Sequence, residues 1–143
     1  MKLFGALFAA ASVLNITGCA IEAVPISFAD ARPVPFDRVF LYQRPVGVAS
    51  IAVQVKRDIG IPASGCAADL LVGGKLAATL KTGEKATLYL PPGRTFLSVT
   101  PHSGACGHTL SEIETMVAGQ EAQRFRISAT SSGQMTILAT GTD

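Results

Sequence analysis

The sequence predicts an all-β fold, a single antiparallel β-sandwich, from two observations. From residue 38 onward, short runs alternate apolar and polar residues, which is the period of a strand that buries one face. Turn residues separate these runs at short intervals, as they do in sandwiches and barrels. No window sustains a helical period over three turns, so the pattern favours strands throughout this part of the chain.

The alternating runs follow one another closely along the chain. The first two cover residues 38–42 and 51–56, and a third ends at Gly73-Gly74. This Gly-Gly pair predicts a hairpin, because a two-residue type I′ turn needs positive φ at both positions. Further turns are predicted at 82–84, 91–93 and 131–133, and the remaining strands at 75–81, 87–90, 96–100, 111–117, 124–128 and 135–139.

The first 18 residues have the composition of an export signal. Lys2 supplies a positive charge, residues 3–14 form an apolar run, and the small residues of Ile16-Thr17-Gly18-Cys19 follow. That order is typical of a secretory signal peptide. The apolar run is shorter than the roughly 20 residues that span a bilayer. Its ending in a cysteine resembles the lipobox of bacterial lipoproteins.

The lipobox resemblance implies that residues 1–18 are removed and that Cys19 is the site of lipidation. Two or three acyl chains on one residue would hold the protein stably on a membrane. Ala20 follows the cysteine, whereas aspartate at that place tends to retain similar lipoproteins in the inner membrane. The resemblance therefore implies a lipid anchor in the outer membrane of a bacterium, with the protein facing the periplasm.

Residues 19–37 are predicted to form an extended tether between the lipid and a sandwich domain of residues 38–143. The segment carries three prolines and has little period of any kind. Segments of this kind stay extended without regular hydrogen bonding. The alternative is that Val24–Phe28 packs on the domain as an edge strand.

Two cysteines remain once Cys19 is assigned to lipidation. Export delivers the chain to an oxidising compartment, where two leftover cysteines in a small domain usually pair. We therefore predict a disulfide between Cys66 and Cys106. A bond that closes a loop of this size stabilises a domain by about 4 kcal/mol in a chain-entropy estimate.

The stretch from Cys66 to Val99 resembles small sandwich modules of bacterial lipoproteins, of the PEGA and DUF2846 type. The resemblance is carried by the segments VGGK, TLKTGEKATLYL and PPGRTFLSV. It implies a transthyretin-like or immunoglobulin-like sandwich. Modules of this kind are generally non-enzymatic and serve as interaction domains of the cell envelope, although a fold alone does not assign a function.

Residues 101–109 form a glycine-containing loop that holds both histidines of the chain, His102 and His108, together with Cys106. We consider it a possible binding loop. Histidine and cysteine thiolate are suitable ligands for zinc or copper. A disulfide would consume the thiolate and leave two ligands, too few for a tight site. The sequence therefore predicts neither a metal nor another cofactor.

The motifs and the charge balance argue against catalysis and against nucleic-acid binding. No Gly-x-Ser-x-Gly elbow is present, and Glu112 and Glu114 fit a solvated sheet face better than a glycosidase pair. The net charge is +2, and the densest basic spot, Lys56-Arg57, is predicted to be a strand end in water. The nucleophile–base pairs considered combine Ser64, Ser103 or Ser111 with His102 or His108.

Taken together, these patterns predict a lipid-anchored envelope protein that is not an enzyme. It would bind another envelope component or act as an accessory subunit of a membrane-associated assembly. Two alternatives use the loop of residues 101–109. One is an inhibitor of a periplasmic hydrolase of the lysozyme type, which would insert this loop into a cleft, and the other is a metal-binding envelope protein.

Overall fold

The computed structural model describes residues 22–141, and these residues form an all-β fold. None of the helices in this part of the chain is long and apolar enough to cross a membrane. Two short 3-10 helices cover Phe36–Arg38 and Gly104–Cys106. The strands are β1 (Arg32–Pro33), β2 (Ile51–Arg57), β3 (Ala68–Val72), β4 (Lys75–Leu80), β5 (Glu84–Leu90), β6 (Gly93–Pro101), β7 (Ser111–Val117), β8 (Gln123–Ala129) and β9 (Met135–Ala139).

The strands form two sheets that share one core, an arrangement consistent with a β-sandwich. The first sheet has the order β1-β5-β2-β8-β9, and the second has the order β4-β3-β6-β7. The second sheet is antiparallel throughout. The first is mixed, because β1 pairs with β5, and β2 with β8, in the parallel sense. The prediction of a wholly antiparallel sandwich is therefore wrong for this sheet, since sequence patterns carry no information about strand direction.

Aliphatic side chains from both sheets fill the core. In β5 buried and half-buried positions alternate along the whole strand, and β3 and β8 show the same alternation. This period explains why the strands could be predicted from the sequence, because each strand turns one face to the partner sheet. The largest apolar side chains that are fully buried are Leu70, Leu80, Leu88, Leu90, Leu97, Ile127 and Met135.

The predicted hairpin at Gly73-Gly74 is confirmed between β3 and β4. Both glycines have positive φ, 56° and 79°, as a type I′ turn requires. Residues 38–42, by contrast, do not form the predicted strand. The first of them ends a 3-10 helix, Val39 makes an isolated bridge to Ala78, and Tyr42 has a φ of 59°. A left-handed residue at that position interrupts the extended backbone that a strand needs.

The described part of the expected tether contacts the domain. Val24 and Ile59 form an antiparallel bridge, and Arg32–Pro33 adds β1 to the sheet beside β5. Phe28 and Val34 are buried, and burial of these apolar side chains stabilises the contact of the segment with the domain. Within the range Val24–Phe28, which we considered as an edge strand, only Val24 forms a bridge, and the edge strand lies further along at Arg32–Pro33. Pro33 is tolerated because β1 lies at the sheet edge.

The loops gather at two ends of the sandwich. We call one the disulfide end, because Cys66 and Cys106 are joined there; it contains loops 58–67, 81–84, 101–109 and 130–134. The other is the open end, which contains loops 43–50, 91–93 and 118–122. The described chain begins at the disulfide end, where Val24 pairs with Ile59.

Candidate functional site

The loop of residues 101–109 is fixed at both of its sides. The disulfide joins Cys106 to Cys66, with 5.9 Å between the two Cα atoms. His102 Nδ1 lies 2.9 Å from Asp69 Oδ1, and the backbone N–H of His102 donates to the carbonyl of Ala67. The predicted disulfide is therefore present, and the loop is rigid where it leaves β6.

The two histidines of the loop have different neighbours. His102 contacts Asp69, whereas the ring of His108 packs beside Gly104, where a Cβ would lie only 2.9 Å from its Cε1 atom. Cys106 has no thiolate to offer, because it is in the disulfide. Between residues 22 and 141 no group of three or more histidine, cysteine or acidic side chains is placed to hold a metal ion.

The serines and glutamates considered as catalytic groups bind neighbouring atoms of the fold. Ser103 Oγ accepts from the N–H of Ala105, and Ser111 Oγ accepts from the N–H of Ile137. Glu112 accepts from Ser98 Oγ at 2.8 Å, and Glu114 forms an ion pair with Arg94 at 3.0 Å. These side chains therefore support the structure of the loop and of the sheet surface.

Strand β7 lies at the edge of its sheet with a backbone ready for pairing. The carbonyl of Phe96 accepts from the N–H of Gly73, so the backbone groups of Phe96 face β3. Backbone direction alternates along an antiparallel strand. Glu112 and Glu114 lie opposite Ser98 and Phe96, and their N–H and C=O groups therefore face away from β6. Such an edge can accept an added strand.

A cleft of about 650 Å³ opens beside this edge, between β7 and the end of β9. Its walls come from residues 113–115, 121–125 and 139–141, and the charged residues among them are Glu114, Glu121 and Arg124. Towards the start of β7 the two strands come together, and the N–H of Ile137 on β9 donates to Ser111 Oγ at 3.2 Å. The cleft therefore lies towards the open end of the sandwich, beside the outward backbone groups of Glu112 and Glu114. The outward carbonyl of Met116, further along the same edge, already accepts from Gln123 Nε2 at 2.9 Å.

A buried cluster of charges lies where β4 and β5 approach each other. Glu84 accepts from both terminal nitrogens of Arg38, at 2.8 and 2.6 Å, and from the N–H of Lys81 at 2.7 Å. Arg57 is fully buried and donates to the carbonyls of Leu80 and Ala63. Burial lowers the pKa of Arg57, with Glu84 opposing this effect.

The pKa of Glu84 reflects two opposing causes. Burial raises this pKa, but the hydrogen bonds from Arg38 and from the N–H of Lys81 outweigh it, so that the pKa lies below its ordinary value. A carboxyl group with a lowered pKa in the folded protein stabilises it above the unfolded pKa. That contribution is lost as the pH falls through the folded pKa.

A second buried carboxylate, Asp58, has a pKa that is shifted in the opposite direction from that of Glu84. It directly follows β2, and Arg126 on the neighbouring strand donates to its Oδ2 atom, at 3.0 Å from Nε. Burial raises the pKa of Asp58, and the contacts with Arg126 and Lys56 lower it only in part. Lys56 is itself buried, with its Nζ atom 4.3 Å from the ring centre of Phe28. The prediction that Lys56-Arg57 is a strand end in water is therefore wrong.

We predict that Asp58→Asn changes the pH dependence of stability. Because the pKa of Asp58 is raised on folding, the folded wild type binds a proton more tightly than the unfolded chain. Wild type should therefore gain stability relative to the variant as the pH falls through the folded pKa towards the ordinary aspartate value. Guanidinium unfolding across this range measures the difference. Parallel curves for the two proteins would contradict the prediction.

A comparison with protein-family models found no match to this chain, and neither did a comparison with curated proteins. The candidate site consequently depends on the geometry described above. Sequence reasoning identified Cys66 and Cys106, and the structure joins them. It missed the edge of β7 as a site, although the exposed pair Glu112 and Glu114 on one strand face was a usable signal.

Proposed function

We propose that this protein is a non-enzymatic, lipid-anchored lipoprotein of the bacterial cell envelope that binds a partner along the edge of β7. The partner would supply an extended segment that carries basic residues. The observation that carries the proposal is the edge itself, where the outward-facing backbone groups of Glu112 and Glu114 adjoin a cleft lined by Glu114, Glu121 and Arg124. Main-chain hydrogen bonds would give affinity, and the acidic side chains would select the segment.

Envelope location is supported by two independent features of the chain. The run Ile16-Thr17-Gly18-Cys19 resembles a lipobox, and it lies outside the residues that the structure describes. The Cys66–Cys106 disulfide fits a protein exported to an oxidising compartment. With Ala20 after the cysteine, we infer an anchor in the outer membrane and a domain facing the periplasm.

We further propose that the sandwich is of the transthyretin-like type, related to PEGA and DUF2846 modules. Strands β2–β9 form two sheets of four strands each once the short β1 is set aside, and this number supports the assignment. Modules of this type generally serve in interactions. Their role as accessory subunits of membrane-associated assemblies is compatible with a strand-accepting edge.

A second candidate function is inhibition of a periplasmic hydrolase of the lysozyme type. The observation in its favour is the rigidity of loop 101–109, which the disulfide and the contact of His102 with Asp69 hold in place. A rigid loop can enter an enzyme cleft at low entropic cost. This mechanism needs the loop and does not need the edge of β7.

Lipidation is tested by labelling cells with a radioactive fatty acid and comparing wild type with Cys19→Ala. We expect the label and membrane fractionation of wild type, and loss of both in the variant. An unlabelled wild-type protein would contradict the lipoprotein assignment, whatever the domain binds.

Partner binding is tested by crosslinking and affinity capture from intact membranes. We predict that Glu114→Pro lowers recovery of the main partner at least about tenfold, because proline removes an outward N–H and leaves the ladder to β6 intact. Glu114→Ala removes the carboxylate and its ion pair with Arg94 but keeps the N–H, so the difference in recovery between the two variants measures the backbone contribution.

The two candidate functions give opposite results in this assay. Replacing His102 and His108 by alanine should leave capture through the β7 edge unchanged and should abolish inhibition through the loop. If Glu114→Pro binds like wild type while the histidine variant loses its partner, the edge proposal is wrong and the inhibitor is favoured. Thermal unfolding of each variant confirms that it is folded.

A further inference from the structure

We propose that the disulfide end of the sandwich rests on the surface of the phospholipid bilayer, with Val24, Ile59 and Ile61 inserted among the headgroups. This inference rests on the proposed lipidation of Cys19. It goes further in assigning a membrane-contact surface to the folded domain and an orientation to the whole protein.

The first observation is that only a short length of chain separates the proposed lipid from the domain. Glu22 is three residues after Cys19, and three residues span at most about 10 Å. Glu22 lies at the disulfide end, because a Cβ placed on Gly60 would meet its carbonyl oxygen at 3.6 Å. The acylated residue therefore lies within one short reach of this end of the domain.

The second step is that the start of the described chain is held by the domain. The N–H of Val24 donates to the carbonyl of Ile59 at 2.7 Å, and the N–H of Ile59 donates back at 3.0 Å. Further along, Phe28 is buried, with Lys56 and Arg124 over its ring. The residues that could have lengthened a tether are packed on the sheet, so they cannot move the domain away from its anchor.

The third step is the apolar character of the surface that this geometry brings to the membrane. Val24 is 54% exposed, Ile59 39% and Ile61 75%, and Val24 and Ile59 are paired to each other. Aliphatic side chains of this kind insert into the boundary between headgroups and acyl chains, to a depth of about 5–10 Å. Glu22 and Lys81, which carry opposite charges, are both exposed at this end.

The orientation separates the two candidate binding regions. Loop 101–109 lies at the disulfide end and would face the bilayer, where a soluble enzyme has poor access. The cleft between β7 and β9 lies towards the open end and would face the periplasm. Membrane contact at one end therefore presents the strand-accepting edge at the other.

Tryptophan fluorescence tests this orientation directly, because the chain contains no tryptophan. Ile61→Trp places the probe at the disulfide end, and Val46→Trp, at a position that is 83% exposed, places it in a loop of the open end. The lipidated proteins are purified from membranes and reconstituted in vesicles of phosphatidylethanolamine and phosphatidylglycerol. Lipids brominated near the headgroup then quench any tryptophan at that depth.

We expect Ile61→Trp to emit at shorter wavelength in vesicles and to lose about half of its fluorescence to brominated lipid. Val46→Trp should keep the emission of a tryptophan in water. Equal quenching of the two probes, or quenching of Val46→Trp alone, would overturn the orientation.

Mass spectrometry of the same samples separates this result from a failure of the proposed function. An acylated protein whose Ile61→Trp probe stays in water contradicts the membrane-contact surface and leaves the lipoprotein assignment in place. A protein without acyl chains contradicts both. Circular dichroism shows that both tryptophan variants are folded, as the high exposure of both positions leads us to expect.

Discussion

Replacing Cys66 and Cys106 together by serine should lower the free energy of unfolding by about 4 kcal/mol. The disulfide joins residues 40 apart in the sequence, and it connects the loop after β2 to the loop after β6. In the chain-entropy model its main effect is to restrict the unfolded chain. Domains of this size are stable by only about 5–15 kcal/mol, so the loss would be a large fraction of the total.

Guanidinium unfolding of the oxidised full chain measures this effect, with the reduced wild type as an internal comparison. Reduction should shift the guanidinium concentration at the unfolding midpoint of wild type to that of the double-serine variant. It should leave the midpoint of the variant unchanged. A variant within about 1 kcal/mol of oxidised wild type would show that native-state strain cancels the constraint on the unfolded chain.

Replacing Glu84 by alanine should lower the free energy of unfolding by about 3 kcal/mol. The substitution removes the acceptor of two hydrogen bonds from Arg38 and one from the N–H of Lys81. It also removes the negative charge that opposes the effect of burial on the pKa of Arg57. Leaving one member of a buried ion pair without its partner is far more damaging than removing an exposed pair.

Glu114→Ala is the matched control for this experiment. Its partner Arg94 is 70% exposed, so this variant should stay within about 1 kcal/mol of wild type. The pH dependence gives a second readout. Because the pKa of Glu84 is lowered on folding, the stability gap between wild type and Glu84→Gln should narrow as the pH falls below the ordinary glutamate range. A constant gap at all pH values would indicate that packing, and not charge, is responsible.

Strands such as β3, β5 and β8 could be predicted because each of them buries a single face. Alternation is clear in β5 and β8, where every second residue is buried, and glycines with positive φ mark the β3–β4 turn. These are local features, and a local pattern is sufficient to find them. The disulfide could be predicted from export and from the cysteine count, without any knowledge of the fold.

Pairing and burial of charge could not be predicted, because both depend on residues distant in the sequence. The parallel partner of β2 is β8, and nothing in either strand specifies the other. The sequence pattern indicated that Lys56 and Arg57 form a solvated strand end. In the structure the ring of Phe28 covers Lys56. Arg57 donates to the carbonyls of Leu80 and Ala63. Their partners come from an upstream segment, a strand of the other sheet and a loop.

One part of the candidate site could be predicted from the sequence and another part could not. The sequence placed both histidines and a cysteine in one loop, and the structure shows that this loop is held in place. The position of β7 at the edge of its sheet could not be predicted from the sequence, because it depends on the order of the strands in the sheet. Only the exposed acids Glu112 and Glu114 hinted that this strand differs from its neighbours.

The parallel pair of β2 and β8 also sets the order in which the chain can fold. Gln54 and Arg124, neighbours in the sheet, are separated by 70 residues. The centre of the first sheet therefore stays incomplete until nearly the whole polypeptide is available for folding. Contacts of such long sequence separation fold slowly and leave apolar strands exposed meanwhile. We expect incomplete chains to leave these strands exposed until β8 is available, and truncation before residue 123 to leave β2 without its parallel partner.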